Sequence, residues 1–573
     1  MERTCNRIEI FDIALFLLLF ITGIVATTAI FLLVGIPVST MNILFPLVSV
    51  TLYIYYKQQS VKRTATILLI SLSIFIICVL LSGAVFDTTW DGAAYHKQAV
   101  GLLKEGWNPI YQSSADFNRL SQSVRYPADN PLLWAEVYPK ATWYFAASIY
   151  YITDNIETGK AYTLLFMFIA FAMFFDYFKQ HKSFKSWQAL LIAILVACNP
   201  ISLSQLQSYY LDGLVAYVLL GLILLCVALY DNSWNRYKSE LYAIVFCLII
   251  FGCNTKFSVV LFTGTSCIIF FISVLWRKEQ KWHKLKRFSF FVLSTVFAFM
   301  VVGASPYFTN LHRYGSPFHG FNGLFSHDFI LREFGIDGLN NAQRFFVSLF
   351  AKFSHGEFST LDQALKIPFT FSRDELFYYN LVDPRVGGFG VFFSGVLVIS
   401  LPMFVYYLVK AIKAGHRGFI FFTCLMTINI IEMMFLPGTY QVRYIPQLYL
   451  IPIAALAACF YTVNKIDMLH KYRLTNRIAA VLISVFMTLN VIPYAKVILT
   501  RINNSVHTQA ALTGLKESSK EKKAIIAFYM YDFTGMHYNL KDYEVSYDFI
   551  TYEQVDETFA RTYSDWIYYK LPE

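Results

Sequence analysis

The chain has 573 residues, of which 57% are hydrophobic, 18% aromatic and only 15% charged, and its mean hydropathy is +0.49. Ordinary soluble domains carry about 25% charged residues, so a water-soluble protein is excluded. The net charge of +10 does not point to nucleic acid, because most Lys and Arg residues stand in short clusters between apolar runs, which is a topological signal.

Taken in chain order, Arg3 and Arg7 precede an apolar run over 11–35 that lacks a small-residue cleavage site, the pattern of an uncleaved signal anchor. A helix crosses the hydrocarbon core with roughly 20 apolar residues, and about 13 segments qualify. They begin near Phe11, Asn42, Thr64, Ala161, Trp187, Gly213, Leu241, Phe257, Phe288, Val386, Phe419, Tyr444 and Ile478. The stretch 241–253 is short by itself. Counting it as a crossing places every basic cluster on one side: Lys57, Lys62 and Arg63; Lys179, Lys182 and Lys185; Arg236 and Lys238; Arg277, Lys278, Lys281, Lys284, Lys286 and Arg287; Lys410, Lys413 and Arg417; Lys465, Lys471, Arg473 and Arg477. By the positive-inside rule that side is cytoplasmic, with the N-terminus inside and the C-terminus outside.

The long polar stretches then all fall on the outer side: a first loop over about 87–160, a second over about 310–385, and a tail after Arg501. The expected fold class is an all-α polytopic membrane protein. Residues 1–500 form the membrane module, and 501–573 form a small extracytoplasmic α/β domain, since β-prone runs over 524–530 and 543–550 alternate with a polar helix-like stretch. The cysteines lie almost entirely in apolar stretches and outside the three longest polar loops, so neither a disulfide framework nor a cysteine metal site is expected.

The first outer loop opens with Phe86-Asp87-Thr88-Thr89-Trp90-Asp91-Gly92-Ala93-Ala94-Tyr95-His96. If helical, this run puts Asp87, Asp91 and Tyr95 on one face at i, i+4 and i+8, with His96 one position round. A carboxylate held so close to lipid has its pKa raised by desolvation, as a general base requires. The ordinary alternative is that Asp87 caps a juxtamembrane helix and Asp91 faces water. His312, His319, His327 and His355 populate the second loop without the i, i+4 pairing of a helical zinc site, and are taken as loop histidines. Glu432 lies within an apolar segment, where ionisable residues are functional candidates.

Trp90-Asp91 followed by Tyr95-His96 resembles the signature of GT-C-type membrane glycosyltransferases, above all the bacterial relatives of the dolichyl-phosphate-mannose protein mannosyltransferases, in which the first outer-loop Asp is the catalytic base. The resemblance continues in Tyr138-Pro139-Lys140-Ala141-Thr142-Trp143, in Asn155-Ile156-Glu157, and in Asn199-Pro200 with Tyr209-Tyr210-Leu211-Asp212-Gly213. Gly315-Ser316-Pro317-Phe318 and Gln441-Val442-Arg443-Tyr444-Ile445-Pro446 extend it, so that it covers residues 64–460. Two features depart from the family. Ser316 stands where the turn usually has Asn, and two apolar crossings stand ahead of the one that leads into the signature loop, which makes the N-terminal hairpin an accessory.

The resemblance implies a GT-C-like bundle in a bacterial cytoplasmic membrane and an inverting transfer of sugar from a polyprenyl-phosphate donor to a glycan, lipid or protein acceptor on the outer face. Asp91 and Asp87 are the candidate catalytic carboxylates, with Asp91 the first choice for base. Tyr95 and His96 would position the acceptor or tune that base. A lipid phosphate is best met by fixed cations at headgroup depth. Arg443 leads that set, with Lys140, Lys256 and Arg313 as further candidates; snorkelling toward anionic lipid is the ordinary alternative. Asp212 would orient the acceptor, join Asp91 around a divalent cation such as Mg or Mn, or simply cap its helix. Three rival classes stay open: a lipid-glycan flippase or transporter, an O-antigen-type ligase or polymerase relying on Arg and His, and a scaffold protein.

Overall fold

The computed structural model describes residues 8–117, 131–277, 280–319, 338–356, 358–464, 470–529, 534–550, 552–561 and 567–571. Arg3, Arg7, Lys278, His327, Lys465 and Met530 of the sequence reading lie outside these ranges. The architecture is a helical bundle with a small sheet near the C-terminus.

Ten helices among the described residues are long and apolar enough to cross a bilayer: Ile10–Leu33, Val61–Gly83, Ile156–Gln180, Asp212–Asp231, Phe257–Leu275, Lys281–Val302, Phe393–Ala414, Arg417–Phe435, Pro446–Asn464 and part of Arg473–Ser518. This makes the chain an integral, multi-pass membrane protein. Three of the expected spans fall short of that measure. Met41–Gln58 has 18 residues, diluted by Asn42, Pro46, Lys57 and Gln58. Ser186–Ala197 has 12 residues and Lys238–Asn254 has 17. At 1.5 Å per residue these two reach about 18 and about 26 Å, against a hydrocarbon core of about 30 Å.

Polar contacts hold both termini of each of the three against neighbouring helices. Lys238–Asn254 begins beside Arg236, which pairs with Glu9 and Asp176, and ends beside Lys256, which pairs with Asp212 at 2.5 Å. Ser186–Ala197 starts where Asn464 donates to Gln188 at 2.7 Å and finishes where the Ala197 carbonyl accepts from Tyr217 at 2.6 Å. Met41–Gln58 returns along the first helix, with Asn42 donating to Thr28 at 2.8 Å and Gln58 to Asp12 at 3.3 Å. One end of the bundle therefore carries short connections, and the other carries the long loops.

Helix Asp212–Asp231 is the central element, with 89% of its apolar window buried, whereas Lys281–Val302 is peripheral with 22%. Its near-continuous apolar sequence has no polar face because neighbours cover it all round. It starts at Asp212 and so delivers a carboxylate to the loop end.

The C-terminal helix His470–Ser518 has 49 residues and runs unbroken past residue 500. At about 70 Å it is more than twice the hydrocarbon thickness, so it projects from the bundle and carries the appendage. There Ala524–Phe528 pairs in parallel with Tyr547–Phe549 and antiparallel with Ile567–Lys570, which pairs antiparallel with Ala560–Arg561. The β-prone runs read in the tail fall in this small sheet, which follows the helix that ends at Ser518.

Candidate functional site

The loop after Val61–Gly83 is irregular from Phe86 to Thr89 and becomes helical only at Trp90. Asp87 therefore does not share a helical face with Asp91, contrary to the i, i+4, i+8 reading. Its carboxylate instead accepts from the backbone amides of Thr89 at 2.9 Å and Tyr209 at 2.7 Å, and it is only 1% exposed. Its own amide donates to Glu157 at 3.0 Å and its carbonyl accepts from Lys97 at 2.6 Å. Asp87 is an anchor for the loop. A β-carbon at Gly92 would run into its carboxylate, which is why the chain needs glycine there.

Asp91 precedes a single π-helical turn, Gly92–His96, and the next turn brings the Tyr95 hydroxyl onto its carboxylate. That part of the expected face is realised. Burial pushes the Asp91 carboxyl up and Arg443 pulls it down; Asp383 raises it and Lys256 lowers it, leaving it at about 6. Such a group is ionised at neutral pH but still basic enough to take a proton, the range that suits a general base.

Arg443, Asp383 and Lys256 bring charges to this carboxylate, and Asp212 joins them. Asp212 pairs through Oδ1 with Lys256, and its Oδ2 accepts from Gln205 at 3.0 Å. Arg443, in the short turn Val442–Tyr444, places one guanidinium nitrogen 3.7 Å from Asp212 and 3.7 Å from Asp383. Its remaining nitrogens donate to Gln441 and to the Tyr444 hydroxyl, both at 3.1 Å. Asp383 also meets His355 at 3.1 Å and Arg385 at 3.5 Å. Burial pushes the Asp383 carboxyl up, but the His355 hydrogen bond and the charges of Arg443 and Arg385 outweigh it and hold the group at about 2. Tyr138, Tyr210 and Tyr444 form the walls, with the Lys256 ammonium 3.9 Å above the Tyr444 ring.

Of the residues singled out in the sequence, the fold thus brings together Asp91, Tyr95, Asp212, Lys256 and Arg443. It keeps others apart. Lys140 is fully buried and donates to the carbonyls of Glu136 at 2.7 Å and Tyr138 at 2.9 Å, and burial lowers its pKa well below the ordinary lysine range. Arg313 pairs with Glu136 at 3.1 Å, in that separate cluster. His96 instead borders the cluster, its ring 4.3 Å from that of Tyr95; it accepts from the Trp143 indole at 2.7 Å, and burial holds it at about 3, so it is neutral there. Glu432 bonds to Thr265 within the bundle.

Sequence reasoning missed Asp383 and Arg385, and set His355 aside as a loop histidine. The available signal was the pair Asp383 and Arg385 standing just before an apolar segment, on the side expected for Arg443. Among the described residues no three His, Cys, Asp or Glu side chains gather to hold a metal. Asp212 Oδ1 is paired with Lys256 and its Oδ2 accepts from Gln205, so the Mg or Mn ion considered above would have to displace those partners.

An apolar cleft lined by Phe299, Tyr307, Phe308, Leu311, Pro317 and Phe318 opens beside the charged cluster. Phe257, the residue after Lys256, connects the two: its ring lies 5.8 Å from both Tyr307 and Phe318 and 6.1 Å from Tyr138. The site therefore combines a carboxylate of raised pKa, fixed cations and an adjoining apolar cleft. Comparison of the chain with protein-family models, with curated proteins and with solved structures finds no match.

Proposed function

We propose that the protein is a membrane glycosyltransferase of GT-C type that moves a sugar from a polyprenyl-phosphate donor to an acceptor on the outer face of a bacterial cytoplasmic membrane. The observation that carries this reading is the convergence of Asp91 with Arg443 and Lys256 beside an apolar cleft. In this reading all 13 helices cross, the N-terminus is cytoplasmic, and the loop end faces outward.

The prenyl chain lies along the cleft of Tyr307, Phe308 and Phe318, and the donor phosphate faces Lys256 and Arg443. Asp91 removes the proton from an acceptor hydroxyl or amine. The freed electron pair attacks the anomeric carbon, the bond from that carbon to the phosphate oxygen breaks, and its electrons pass to the phosphate with inversion at the sugar. The proton stays on Asp91. Arg443 can serve the departing phosphate because its 3.7 Å separations from Asp212 and Asp383 exceed direct hydrogen-bond distance, so those carboxylates do not saturate it. Comparing lipid-linked sugars and surface glycans in cells with and without the gene tests this: a donor that accumulates with loss of one glycan supports the reading, and unchanged profiles oppose it.

The grouping of His355, Arg385 and Arg443 around Asp383 favours one second reading, an O-antigen-type ligase or polymerase that relies on Arg and His. Full activity of Asp91→Asn combined with loss in Arg385→Ala would support it over the first.

A further inference from the structure

Residues 361–380 leave the second loop with an unusual surface. Leu365, Ile367, Phe369, Phe371, Leu376 and Phe377 are all exposed, Ile367 at 75% and Phe377 at 65%. Contiguous exposed apolar side chains mark a surface that something else covers.

The neighbours of this segment identify the cover. The Phe369 ring packs on Phe486 at 4.9 Å and rests against Gly395; Phe371 packs on Phe392 at 5.5 Å. Gly395 and Phe486 belong to two of the bilayer-crossing helices, Phe393–Ala414 and Arg473–Ser518. Phe486 stands 13 residues beyond Arg473, or about 20 Å along a helix that crosses about 30 Å of hydrocarbon. The adjoining faces of those helices expose Val398 and Leu401 on one and Leu482, Val485 and Leu489 on the other. The apolar surface of the segment is continuous with faces that meet lipid.

Two of its charged groups, Lys366 and Glu375, are turned inward, while Asp362, Gln363, Thr370, Arg373, Asp374 and Asn380 are exposed. Lys366 donates to Glu375 and to the Val391 carbonyl, both at 2.5 Å, and the two charged side chains are only 5% and 3% exposed. Glu375 also accepts from the amides of Phe353 and Ser372 at 2.8 Å, while the Ala364 carbonyl accepts from the Lys352 amide at 2.7 Å. Internal pairing of this kind lets irregular backbone approach the hydrocarbon boundary. The exposed Arg373 and Asp374 can reach the headgroups.

We infer that residues 365–377 insert into the leaflet at the loop end as an interfacial anchor, with lipid acyl chains as the partner. The anchor fixes the depth of Asp383 and Arg385, which follow directly. This inference does not depend on the proposed reaction.

The test uses full-length protein in nanodiscs with Ile367→Trp and Phe377→Trp, both at exposed positions where folding is not at stake, and Glu557→Trp as an aqueous control. Emission above that of the nine native tryptophans is read with acyl-brominated lipid and with aqueous iodide. The expected result is that about half or more of the added emission at 367 and 377 is lost to brominated lipid and little to iodide, with the reverse at 557. Quenching at 367 and 377 by iodide would show a water-facing loop, and quenching by neither would show a surface covered by protein such as a second copy; either result overturns the inference.

Discussion

The Lys256 ammonium lies 2.5 Å from the Asp212 carboxylate although the two residues are 44 positions apart. They stand at the starts of the adjacent helices Phe257–Leu275 and Asp212–Asp231, so the pair joins two membrane elements where the charged site is built. Asp212 is 2% exposed, and removing its partner leaves a buried charge unpaired. Lys256→Met should cost about 2–4 kcal/mol of stability, and Lys256→Met with Asp212→Asn should recover part of it. Thermal unfolding of the two variants in detergent checks this.

The pH dependence follows from Asp91. A base must be unprotonated, and burial places this carboxyl at about 6, so transfer should rise with pH, gaining about tenfold per unit below that value and levelling above it. In Arg443→Gln the lost cation should move the inflection upward, because Arg443 lowers this pKa. Initial rates between acid and neutral pH measure both.

Arg443 should also show that charge alone is insufficient. Its guanidinium meets Gln441 and Tyr444 as well as lying between Asp212 and Asp383, a forked geometry that an ammonium cannot copy. Arg443→Lys should therefore lower transfer by about 10²-fold or more while the protein stays folded. Rates measured alongside thermal stability separate these effects.

The C-terminal appendage is tied to the first loop through a buried cluster. Lys97 donates to the Asp87 carbonyl, Glu157 and Asn539, and Asn539 donates back to Glu157 at 2.9 Å. Asn539→Leu leaves both charged partners short of a hydrogen bond, so a loss of about 1–3 kcal/mol is expected. Faster amide exchange across residues 86–96 in the variant is the measurement.

Asp542 adds a pH effect at the same interface. Burial raises its carboxyl from the usual range to about 7, despite hydrogen bonds from Tyr150 and the Ile156 amide. The docked state thus holds a proton that the free chain releases, and docking should weaken as pH rises from about 4 to about 7. Asp542→Asn should remove that dependence in thermal unfolding followed against pH.

Much of the membrane architecture was legible, because hydropathy reports burial in lipid directly; ten expected spans appear as long apolar helices. Met41–Gln58 and Ser186–Ala197 were read as crossings of the same kind and 241–253 as a short one counted through charge parity; all three are short or diluted. Asp91 and Tyr95 were legible as a pair because helical spacing is local. Asp87 was not, since its carboxylate caps the Tyr209 amide 122 residues away and no sequence period encodes that contact. Lys140 and Arg313 looked equivalent to Lys256 as cations on the expected outer side, and only packing separates them. Asp383 and Arg385 escaped because they end an irregular loop.

The role proposed for Asp91 is that of base in sugar transfer from a lipid phosphate. The most direct measurement is release of polyprenyl phosphate from a radiolabelled polyprenyl-phosphate sugar by purified protein in nanodiscs, with acceptor extracted from the parent membrane, for the unaltered chain and for Asp91→Asn. Release and transfer in equal amounts are expected from the unaltered chain, and a loss of about 10²–10⁴-fold in Asp91→Asn with donor binding retained. Undiminished transfer by Asp91→Asn would contradict that role.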